Sequence, residues 1–228
     1  MVKFYPQERI ALFIDGVNSH ITARELGFDI DFRKLHNLFS SQGRLVRCFY
    51  YTTIHEDQNF MPLKPLIDWL DYNGYAMTTR TVRDYGGEQG GRAQKRYSMD
   101  VDLAVDMMEI ASHLDHAVLF SGAGGFRRLV EAVQRLGVRV TVVSTVSTQP
   151  PMIADDLRRQ ADNFLDLARI RSKVAREDGG HDRAPRTPRQ SEEEEYEEEY
   201  EEGEGDGEGE GDDNDNREDD EGEETEES

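Results

Sequence analysis

A chain of 228 residues is long enough for one domain of ordinary size with further chain beyond it. Its net charge of −21 does not make the whole molecule acidic: residues 191–228 hold 24 Asp and Glu against one Arg, and the other 190 residues carry 24 acids against 26 bases. Composition excludes an intrachain disulfide, since Cys48 is the sole cysteine, and no run approaches the ~18 apolar residues that a membrane helix needs.

Residues 10–14 (IALFI) form a short apolar run closed by Asp15-Gly16, which predicts a central strand buried on both faces. Helical patterns follow at about 19–26 and 31–40, with Asp31 as the N-cap of the second. Residues 45–51 (LVRCFYY) are rich in aromatic and branched side chains and predict a second strand, with Cys48 as a buried thiol. Pro62 and Pro65 stand near the start of an amphipathic helix that ends by Tyr72, where Asn73-Gly74 stops it. Trp69 is expected to pack into the core from that helix. A third strand is predicted at 75–82.

A glycine-rich loop with four Arg or Lys residues, 83–98, leads to a helix from about Asp100, an apolar strand at 117–120 (AVLF) and the bend Ser121-Gly122-Ala123-Gly124-Gly125-Phe126. Residues 103–111 (LAVDMMEIA) are apolar on nearly every side, so this helix is expected to be buried. Beyond it come a helix at 126–136 with Gly137 as its C-cap, a fifth strand at 138–143 and one helical region from Met152 to about Ala175. His113 and His116 flank a turn and are expected on the surface. Strands alternating with helices argue for an α/β fold with a parallel sheet covered on both faces.

Chemistry concentrates at three points: Asp15 with Asn18 after the first strand, Asp100 with Asp102 opening the focal helix, and the bend at 121–126. In a doubly wound sheet such points converge on one crevice outside the carboxyl ends of the strands. Carboxylates gathered there would hold a hard cation. Each feature also has a plainer reading. Asp15-Gly16 suits a strand-ending turn. Asp100 suits an N-cap, with Asp102 favoured by the helix dipole. Asp106 suits a partner for a basic side chain, and the bend suits a tight turn. The glycines can also present N–H groups to a phosphate, although neither Gly-Lys-Ser/Thr nor G-x-G-x-x-G is present.

Taken in order, RIALFIDGVN, KRYSMDVDLAVDMMEIA, AVLFSGAGGFRRLVEAVQRLGVRVTVV and LRRQADNFLDL resemble the NYN domains, which are PIN-like ribonuclease folds, here of the bacterial LabA/DUF88 type. The resemblance covers roughly residues 8–170, leaving 171–190 as a linker and 191–228 as a disordered acidic tail. It implies a parallel sheet flanked by helices and an acidic Mg²⁺ or Mn²⁺ site that hydrolyses RNA. Asp15 and Asp100 match the family's acidic ligands and Asn18 the polar residue beside the first, with Asp102 and Asp106 as further candidates for the metal. The family's bend reads Ser-Gly-Asp-Gly-Asp-Phe, and this chain has Ala123 and Gly125 where those two aspartates stand. A site for two metals is then hard to build, and an RNA-binding or adaptor module without catalysis becomes the alternative.

Arg92, Lys95 and Arg96, together with Arg83, suit contacts to RNA phosphates beside the site, and Tyr85 and Tyr97 suit stacking on bases. The same loop also reads as a solvated segment. The acidic tail would bind basic partners or compete with RNA for the loop. The N-terminus has no leader pattern, so a cytoplasmic location is expected.

Overall fold

The computed structural model describes residues 2–55, 64–82 and 99–176. Strand β1 (Arg9–Asp15) lies at its centre, with Ile10 to Ile14 all fully buried. Its neighbours are β2 (Arg44–His55) and β4 (His116–Phe120). Outside these come β3 (Tyr75–Val82), β5 (Arg139–Ser144) and β6 (Asn163–Asp166), giving one six-stranded sheet in the order β3-β2-β1-β4-β5-β6. Every pairing is parallel. A parallel sheet needs cover on both faces because its connections cross over them.

Successive residues of β1 point to opposite faces. Ile10, Leu12 and Ile14 join a core completed by α1 (Gly16–Glu25), α2 (Phe32–Ser40), α3 (Lys64–Tyr72) and α7 (Leu167–Val174). Ala11 and Phe13 join the other core, completed by α4 (Asp100–Ile110), α5 (Arg127–Arg135) and α6 (Asp155–Gln160). Local signals explain several boundaries. Asp31 caps α2, its carboxylate accepting from the backbone N–H groups of Arg33 and Lys34 at 3.0 Å each. Gly74 and Gly137 follow α3 and α5 with φ of 85° and 84°, the left-handed conformation that glycine adopts without strain. Cys48 is buried as expected, and burial pushes its thiol up to about 12. Trp69 packs half-buried against the first core, with the Arg33 guanidinium 5.8 Å from its ring.

The structure corrects three expectations. The region expected as one helix from Met152 to about Ala175 is α6, then β6, then α7. Asn163 to Asp166 become a strand because they pair with Thr141 to Ser144 of β5. Helix α4 is not buried all round: Leu103 and Met107 face the sheet, but Val101 is 71% exposed and Val105 58%. His116 is not on the surface but fully buried. Its ring stacks on Phe4, Arg139 donates to Nδ1 at 3.1 Å, and Nε2 lies 2.7 Å from the Thr141 hydroxyl. No helix among the described residues is long and apolar enough to cross a membrane.

Candidate active site

The strand order runs outward in opposite directions from β1 and β4, so the crevice of this sheet opens at the carboxyl ends of those two strands. Asp15 is the last residue of β1 and the N-cap of α1. One carboxylate oxygen accepts the Asn18 backbone N–H at 3.2 Å, and the other accepts the Ser121 hydroxyl at 3.0 Å. The N-terminus of α1 favours the negative charge there. Glycine at position 16 is required by space: a Cβ would sit 2.6 Å from the Tyr50 ring and 2.7 Å from the Tyr51 carbonyl.

Asn18, almost wholly buried, reaches the other way. Its side-chain oxygen accepts the backbone N–H of Gly122 at 2.9 Å. Ser121 is fully buried and takes the Ala123 N–H on its hydroxyl at 3.2 Å. The bend is thus tied to the start of α1 at two points. From the far side the segment after β5 closes on it: Gly122 accepts the Ala154 N–H at 2.9 Å, and a Cβ on Gly122 would lie 1.7 Å from the Met152 carbonyl oxygen. Gly124 lies against the same segment, where an added Cβ would come within 3.3 Å of an Asp156 carboxylate oxygen.

Asp100 is the first residue of α4 and not its cap; Met99 holds that place without a side-chain bond. It faces the bend, since a Cβ built on Gly125 would lie 4.0 Å from its carboxylate oxygen, an ordinary contact. Position 125 therefore has room for a side chain directed at Asp100. Asp102 and Asp106 are engaged elsewhere. Arg80 of β3 donates to both oxygens of Asp102, at 2.9 and 3.2 Å, and Asp106 accepts the Tyr51 hydroxyl at 2.9 Å. Burial, then Asp106 itself, holds the Tyr51 phenol protonated well above its ordinary range, so it is a donor.

The structure brings Asp15, Asn18 and the bend into one hydrogen-bonded unit and sets Asp100 against Gly125. Among the described residues, no three carboxylate, histidine or cysteine side chains gather as a metal site. Arg92, Lys95 and Arg96, with Arg83, Tyr85 and Tyr97, lie outside the described residues, as does the tail from 191. Sequence reasoning missed Ser121 as the residue that orients Asp15, and Tyr51, Arg80 and Asp156. Position after a strand was a usable signal for Ser121; nothing local marks the others.

A family model described as the NYN domain matches residues 9–168. The chain is 32% identical over 169 residues to the low amplitude and bright protein LabA of Synechococcus elongatus, a match covering 73% of this chain and 87% of that protein. It is also similar to a crystal structure of a protein of unknown function from Vibrio parahaemolyticus, at 25% identity and a TM-score of 0.57, over 73% of this chain and 96% of that one.

Proposed function

The chain belongs to the NYN domain family, and from that membership and the crevice at the end of β1 we propose that it acts on RNA in the cytoplasm, hydrolysing phosphodiesters at a reduced acidic site. The observation that carries this reading is the Asp15 carboxylate. It stands at the point where the strand order reverses, with each oxygen fixed by a separate donor.

Asp15 and Asp100 offer the hard oxygen donors that Mg²⁺ or Mn²⁺ prefers, and two carboxylates completed by water suit one such ion better than a pair. These two residues would hold it. Bound there, the ion would neutralise phosphate charge and lower the pKa of a water. The chain's own residues do the positioning: Ser121 orients Asp15, and Asn18 fixes the bend through Gly122. Asp102 and Asp106 would need to leave Arg80 and Tyr51 before serving as ligands.

Those engagements favour a second reading, an RNA-binding or adaptor module without useful catalysis. RNA cleavage with Mg²⁺ or Mn²⁺, comparing this chain with the Ala123→Asp/Gly125→Asp variant, separates the two. The nuclease reading expects cleavage by this chain that Asp15→Asn abolishes. Cleavage by the restored variant alone would mean that the present chain is a disarmed nuclease. If neither cuts and RNA binding persists after Asp15→Asn, the adaptor reading stands.

A further inference from the structure

A pocket of about 280 Å³ opens on the first core at the far end of the sheet order, against β6 and α7. Its floor is apolar, with Phe4, Leu38, Phe39, Leu165 and Ile170, and the carboxylate in its lining, Asp166, is buried and accepts from the Thr145 hydroxyl and the Ala168 N–H. The aromatic wall is held in place, since Phe4 stacks on His116 with centroids 4.9 Å apart and meets Phe39 edge-on at 5.7 Å. At the rim stand Arg169 and Lys173, both exposed and four residues apart on α7. Among the described residues neither has an ion-pair or hydrogen-bond partner. Like charges at that spacing disfavour a helix; the helix dipole offsets this for Lys173, in the last turn of α7, and does nothing for Arg169.

Strand β6 adds a third feature. It is the last strand of the sheet, and among the described residues no strand pairs with its outer side. An edge of this kind offers backbone N–H and C=O groups to an extended peptide. Apolar floor, paired cations and open edge together select a peptide with an aromatic side chain flanked by carboxylates. A tyrosine suits such a place, with its ring buried and its hydroxyl at the wet rim. A nucleic acid strand fits less well, because two cations do not make a phosphate track.

We propose that this pocket is a docking site for an acidic peptide with tyrosine anchors, the chemistry that residues 191–202 of this chain (SEEEEYEEEYEE) spell out. The probe is that dodecapeptide, fluorescently labelled. It is titrated at low salt with the full-length chain carrying Tyr196→Ser and Tyr200→Ser, so that the chain's own anchors do not compete. Saturable binding is expected, at least tenfold weaker when the peptide's tyrosines are serine. Binding should also fall at least tenfold with Arg169→Glu/Lys173→Glu, and in the same direction with the milder Arg169→Gln/Lys173→Gln. Arg128→Glu, on α5 across the sheet, should leave it unchanged. Absence of binding overturns the proposal. So does binding that ignores the tyrosines or the two cations, or that poly(U) RNA displaces as well as the unlabelled peptide does.

Discussion

Ser121 ties the bend to the end of β1 through one side chain, because its hydroxyl donates to Asp15 while accepting from the Ala123 N–H. A hydrogen bond to a charged group contributes about 1.5–3 kcal/mol net, and a buried acceptor left unmet costs more than the bond itself gains. Ser121→Ala is therefore expected to lower unfolding free energy by about 2 kcal/mol in urea titration. Gly122→Ala should be at least as damaging, since the added carbon would collide with the Met152 carbonyl, which is backbone and cannot rotate aside. Gly125→Ala should cost less than either, because its Cβ meets only ordinary contact. A Gly125→Ala variant less stable than Gly122→Ala would mean that the bend is packed otherwise.

His116 makes the stability of the fold depend on pH. Burial, then the Arg139 guanidinium, pushes its pKa down from 6.5 to about 4, against the opposing pull of Glu8. The unfolded chain binds the proton first, so between those values unfolding takes up a proton that the folded state refuses. Stability is then complete above about pH 6.5 and declines as pH falls toward 4, by on the order of 3 kcal/mol across the window. Asp115 does not share that window, because hydrogen bonds from Arg9 hold it to about 2. Urea midpoints of the parent and His116→Gln should converge as pH drops from 7 to 4.5. Parallel curves would dismiss His116 as the titrating group.

Helix α4 shows how composition and coverage part company. Leu103 and Met107 are buried on the sheet, and truncating either to alanine should cost about 2–5 kcal/mol. Val101 and Val105 are apolar by type but exposed, so Val101→Lys and Val105→Lys should change stability by no more than about 0.5 kcal/mol. A large loss from either lysine would show that another surface covers this face. What could be read from the chain follows the same division. β1 was legible because a strand buried on both faces has no polar phase, and Asp31 was legible because capping is local. β6 was not: NFLD is four residues between two helical patterns, and β5 imposes its state. Asp15 and the bend were placed by one rule about strand ends. Arg80 and Tyr51, which answer Asp102 and Asp106, come from 22 and 55 residues away, and no local pattern announces such pairings. His116 was misread for the same reason, since Phe4 and Arg139 bury it from opposite ends of the domain.

Charge is distributed so that the net negative charge of the molecule lies in the last 38 residues, which hold half of its acids and a single Arg, while the preceding 190 are nearly neutral. Binding of RNA to a neutral body depends on a few local cations, and each phosphate contact releases counterions and makes affinity fall with salt. A polyanion carried on the same chain raises the local concentration of competing negative charge. It repels RNA most strongly when the Debye length is long. Removing residues 191–228 is therefore expected to strengthen RNA binding several-fold near 20 mM salt. The gain should shrink toward nothing near 0.5 M, where the Debye length is only a few ångströms. Filter binding or anisotropy across that salt series reads both effects. Equal affinity with and without the tail at low salt would remove it as a competitor for RNA. A gain that persisted at high salt would point instead to a contact made by something other than charge.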